Sequence, residues 1–134
     1  MNIWKCEKWK KFYSYKNFRS GIRIDYDKEI APEVKSAIKQ FVNWLRKNYE
    51  FPMRVRVYVK KEYMLKARDG ELVRDLFFWP YDRNVEPYIK ISVGDYRTLL
   101  NQMGRDDALS TLLFAFARQL THYYQLLNGI ELTH

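Results

Sequence analysis

The chain reads as an α+β domain: a small twisted, mostly antiparallel sheet with helices packed on one side and a long C-terminal helix closing the core. Three observations predict this. Met53, Val55, Val57 and Val59 alternate with Arg54, Arg56 and Tyr58, the period of a strand with one buried and one wet face. Val34, Ala37, Ile38, Phe41 and Leu45 recur at helical spacing. Leu109, Leu112, Leu113, Phe116, Leu120, Tyr123 and Leu127 form a longer stripe of the same period.

Taken in order, residues 1–20 show no clean period and are set apart as a basic, aromatic N-terminal arm. Residues 21–134 are read as one domain. Ile22-Arg23-Ile24-Asp25-Tyr26 alternates like a short strand. Pro32 suits the first turn of a helix over 32–49, and Pro52 prevents its continuation. The Met53–Val59 strand follows. Asp69-Gly70 is a turn signal, so 61–68 and 71–79 are read as a hairpin. Pro80 and Pro87 bracket a loop. Tyr88 to Val93 is a further strand, ended by Gly94-Asp95. A short helix over 96–103 stops at Gly104. Asp106 is expected to cap the last helix, which Asn128-Gly129 ends.

Composition narrows the function classes. Of the net charge of +8, residues 1–23 carry +6, from seven basic residues against Glu7. Lys5, Lys8, Lys10, Lys11, Lys16 and Arg19 there alternate with Trp4, Trp9, Phe12, Tyr13, Tyr15 and Phe18. Cations for phosphates beside rings for bases make a nucleic-acid-binding arm the alternative reading. No apolar run approaches the about 18 residues needed to cross a membrane. Lysines interrupt the N-terminus where a secretion signal would need an apolar core. The single Cys6 offers neither an internal disulfide nor a cysteine-based zinc site. A cytoplasmic protein with no membrane association is expected. There is no glycine-rich phosphate loop, and no spacing of carboxylates selects an acid/base pair.

The informative segment lies on the last helix, at Phe116-Ala117-Arg118-Gln119-Leu120-Thr121-His122-Tyr123-Tyr124-Gln125. Residues 118 and 122 are one turn apart and share a face, with Gln119 on the same side. A His-Glu-x-x-His run at this spacing lets two imidazoles hold a zinc while the Glu serves as general base. Here Arg118 stands at the first His position, Gln119 at the Glu position, and His122 keeps its identity.

This segment resembles the active-site helix of the zincins, specifically small gluzincin-type metallopeptidases, where it would read Phe-Ala-His-Glu-Leu-Thr-His-Tyr-Tyr-Gln. The element order resembles theirs over residues 22–134. The resemblance implies a hydrolase fold with a degenerate site, a pseudoenzyme. Active relatives use zinc; as written, this chain is expected to hold no cofactor. Arg118 has no lone pair to give a metal, and Gln119 cannot take a proton from water. His122 is left as a vestigial ligand. Gluzincins bring a third ligand, a Glu, from a later helix. Only twelve residues follow His122, with Glu131 and His134 the candidate donors among them. The resemblance also implies that the strand Tyr88, Ile89, Lys90, Ile91, Ser92, Val93 is an edge where an extended peptide or protein segment can pair. Arg118, in the vacated ligand position, is expected to pair with an acidic group of the cleft.

Overall fold

Strand β1 (Ile22–Tyr26) leads through helix α1 (Pro32–Asn48) into strand β2 (Val55–Lys60), and the two strands lie parallel with Ile22 opposite Val55. The computed structural model describes residues 4–5, 19–79 and 85–130. After β2 come β3 (Leu65–Lys66), β4 (Leu72–Val73), β5 (Asp75–Phe78) and β6 (Tyr88–Ser92), then helices α2 (Tyr96–Met103) and α3 (Arg105–Leu127). The main sheet has the order β1-β2-β6-β5, and β3 pairs with β4 separately.

The sheet is mixed, which corrects the expectation of a mostly antiparallel one. β1, β2 and β6 are mutually parallel, and only β5 runs against its neighbour. The reason is the strand–helix–strand order. A helix laid across one face returns the chain to the end where it started, so the next strand runs parallel. The expected long hairpin is also shortened. Two residue pairs, Leu65 with Val73 and Lys66 with Leu72, flank the turn in which Gly70 adopts φ 89°. The chain then leaves that hairpin and joins the main sheet as β5.

One face of the sheet carries the core. Ile22, Val55, Val57, Val59, Phe77, Ile89 and Ile91 are buried there, under α1 and α3. Each fully buried Val, Leu, Ile or Phe contributes roughly 1.5–3 kcal/mol. The opposite face carries Arg56, Tyr58, Tyr88, Lys90 and Phe78, all half-buried. Its rings cover one another: Tyr88 stacks on Phe78 at 4.7 Å and meets Tyr58 edge-on at 5.8 Å.

Helix α1 begins with Pro32 in its first turn and ends with Arg46 and Lys47 in its last, where cations suit the helix dipole. Val34, Ile38, Val42 and Leu45 form its buried stripe. Gly104, at φ 84°, both ends α2 and precedes α3. Asp106 is therefore not the cap of α3. It lies with Asp107 inside the first turn, where its charge favours the dipole without a capping bond.

Helix α3 supplies the largest buried side chains, among them Phe116, Tyr123 and Tyr124. The Tyr123 hydroxyl donates to the Met53 carbonyl, and the Tyr124 hydroxyl to the Glu50 carbonyl at 2.8 Å. Trp4 packs on Tyr49 and Tyr124 and donates its indole N–H to Thr121 Oγ1 at 3.2 Å. Trp4 and Lys5 of the N-terminal arm thus lie against the domain. No helix among the described residues is long and apolar enough to cross a membrane.

Candidate functional site

Strand β5 and helix α3 bring Asp75, Arg118 and Gln119 together, with His122 one turn further along α3. From β5, Asp75 points to the buried face with its side chain only 2% exposed. From α3, Arg118 reaches it with Nη2 2.6 Å from Oδ1 and Nε 3.3 Å from Oδ2. Gln119, also buried, donates its side-chain amide to Asp75 Oδ2. One turn later His122 lies beside Phe77, ring centres 6.4 Å apart, with Nδ1 2.9 Å from Gln125 Oε1. A carboxylate this deep is tolerated only when its lone pairs are filled by donors, and Arg118 and Gln119 fill them. The Arg118 side chain stays 51% exposed, so the pair is buried at its acidic end and wet at its basic end.

Helical spacing and strand alternation account for the convergence. Arg118 and Gln119 precede His122 by four and three residues and so share its side of α3. Asp75 and Phe77 share one face of β5, with Leu76 and Phe78 on the other. The expectation that Arg118 finds an acidic partner is met by Asp75. Of the two α3 residues, Gln119 is buried and Arg118 is exposed.

A second ion pair stands next door. Arg74 binds Asp95 through both guanidinium ends, Nη1 2.8 Å from Oδ1. Asp95 spends its carboxylate on Arg74 and makes no cap bond to α2, although it holds the N-cap position. Between Arg74 and the outer side of α3 lies an open groove of about 590 Å³, with Met103, Thr111, Ala115 and Arg118 in its lining. Phe114 stands at its rim, 70% exposed.

The strand Tyr88–Val93 is not an edge, which corrects the placement of the peptide-pairing strand. β6 is bonded to β2 on one side and to β5 on the other. The edge nearest α3 is β5. Ser92 N–H donates to the Arg74 carbonyl at 2.8 Å, so Arg74/Ser92 is a bonded pair of the antiparallel ladder. By alternation Leu76/Lys90 and Phe78/Tyr88 are bonded too, and the backbone groups of Asp75 and Phe77 point outward. Among the described residues none of these outward groups has a backbone partner.

The residues do not fit a catalytic zinc. At the position where the zincin resemblance would put the first ligand stands Arg118, a cation held by Asp75, and Gln119 is spent on the same carboxylate. Among the described residues no group of three or more His, Cys, Asp or Glu side chains could hold a metal ion. Glu131 and His134 lie outside the described residues, as do Lys8, Lys10, Lys11 and Lys16 of the nucleic-acid alternative. Lys5 and Arg19 are described; Lys5 gives its carbonyl to the Asn128 amide at 3.0 Å.

Sequence reading missed Asp75 as the partner. Its signal was a lone carboxylate in the apolar run Asp75-Leu76-Phe77-Phe78, a charge that a strand can bury only with a donor opposite. Compared with known proteins, the chain matches no family model, no curated protein and no solved structure.

Proposed function

We propose that this is a zincin-like domain that binds an extended peptide and does not hydrolyse it, its metal centre replaced by an internal ion pair. The observation that carries this reading is the Asp75–Arg118 pair, with Gln119 on the same carboxylate. In a hydrolase of this kind the site would need three neutral or anionic ligands and a base able to take a proton from water. Here a guanidinium occupies the first ligand position and an amide the base position. The arrangement is a neutral, self-satisfied unit, so the chemistry left to the cleft is recognition.

The recognition element is the outer edge of β5. Its outward N–H and C=O groups at Asp75 and Phe77, without a backbone partner among the described residues, can take a further strand, and side chains of that strand would enter the groove beside Phe114 and Arg118. Zinc titration tests the reading, on the protein and on an Arg118→His, Gln119→Glu double variant. We expect no zinc uptake by the unaltered protein and clear uptake by the variant, which regains one imidazole and a carboxylate beside His122. Stoichiometric zinc on the unaltered protein would sink the proposal.

A further inference from the structure

At the far edge of the sheet, a second groove of about 740 Å³ lies between β1 and α1. Its floor is apolar, built from Ile22, Ile24 and Val42. Its wall is cationic: Lys35, Lys39 and Arg46 all line it and all are exposed. They stand on α1 at intervals of four and seven residues, which keeps them on one stripe with Val42. No acidic residue lines the groove, and among the described residues none of these three cations has a carboxylate within ion-pair distance. Arg23, also at the groove, has only a loose contact with Asp25 at 3.8 Å.

The backbone of β1 is open on this side. Val55 N–H donates to the Gly21 carbonyl at 3.1 Å and Asp27 N–H to the Val59 carbonyl at 2.9 Å. The odd-numbered residues of β1 therefore bond to β2, and the groups of Ile22, Ile24 and Tyr26 face outward. The Ile22 carbonyl is taken by Arg46 Nη2 at 2.8 Å. Ile24 and Tyr26 have no backbone partner on that side among the described residues. Lengths also match. Lys35 and Arg46 are eleven residues apart, about 16 Å along a helix. A five-residue strand such as β1 spans about the same distance.

We infer that this groove binds an extended acidic peptide, added as a strand to the outer edge of β1 with Asp or Glu side chains at alternate positions meeting Lys35, Lys39 and Arg46. Strand addition supplies the backbone bonds, and the side chains on one face of the incoming strand point to the helix. The apolar floor takes the aliphatic stems between the charges. A polynucleotide would use the same cations but has no use for the outward N–H and C=O of Ile24 and Tyr26. The inference is independent of the β5 proposal, since it uses the opposite edge and none of the same residues.

The test is a titration of the full chain with a short synthetic peptide alternating Glu with Val and Thr, followed by amide NMR shifts and by polarisation of a labelled copy. Saturable binding is expected, with the largest shifts at Ile24 and Tyr26, and about tenfold weakening on Lys39→Glu, the loss typical of one close charge pair. The same peptide with Lys in place of Glu should not bind. Ile24→Pro removes an outward donor without touching the β1–β2 ladder and should weaken binding further. If that variant fails to fold, Lys39→Glu, on an exposed helix position, still decides. Absence of binding at low salt, shifts confined to other surfaces, or equal binding of a single-stranded oligonucleotide that spares Ile24 and Tyr26 would overturn the inference.

Discussion

The two edges of this sheet carry charge in opposite ways. At the β5 edge the two buried carboxylates are matched: Asp75 by Arg118 and Asp95 by Arg74. At the β1 edge Lys35, Lys39 and Arg46 stand over an apolar floor with no carboxylate within ion-pair distance among the described residues. Charges that satisfy one another inside a fold serve its stability, because removing one strands the other in a poor solvent. Charges left open to water contribute little to stability and remain available to a partner. The same residue types thus serve the fold at one edge and, on our proposal, a ligand at the other.

Breaking the β5 side should give the largest effect. Arg118→Ala leaves Asp75 buried with Gln119 alone and should cost about 2 kcal/mol, less than a fully buried pair because the guanidinium is half in water. Urea unfolding measures it; an unchanged midpoint would mean that Arg118 is only a solvated side chain.

A smaller effect is expected at Asp27, which follows β1. Its carboxyl is held below the usual range, first by the backbone N–H of Lys61 and then, against the cost of partial burial, by the Lys60 ammonium. A carboxyl lowered in the folded state stabilises above its unfolded value of about 3.9 and loses that contribution as pH falls through the folded value. Asp27→Asn should therefore cost well under about 1 kcal/mol near neutrality. The gap to the unaltered protein should close in acid. A gap that widened on acidification would assign the effect to something other than the charge.

The smallest effect sharpens the comparison from the β1 side. Lys39→Glu should leave stability within about 0.5 kcal/mol of the unaltered protein, as expected for an exposed site without partners. A loss like that of Arg118→Ala would show that the α1 cations are structural after all.

Much of this architecture was legible in the residues. The alternation of Val55, Val57 and Val59 marks β2, and the stripes of α1 and α3 follow from helical period alone. What failed was pairing. Alternation in β2 reports a covered and an uncovered face, not the direction of neighbours, and the helix between β1 and β2 was the sign of parallel strands. The resemblance put an edge at Tyr88–Val93, and periodicity, blind to which strands flank a run, offered nothing to correct it. At the candidate site, Arg118, Gln119 and His122 could be grouped by helical spacing. Asp75 lies 43 residues before Arg118, and no local pattern joins them.

The hydroxyl ties of Tyr123 and Tyr124 reach back 70 and 74 residues, and Phe116, Leu120 and Leu127 beside them complete the interior. A chain whose interior closes through such distant partners must lose the entropy of a long loop before the gain arrives. β1, α1 and β2 can meet early, but until α3 docks they leave their apolar face open to water. Refolding is therefore expected to be slower than in helical domains closed by local contacts, although the longest element here is a helix.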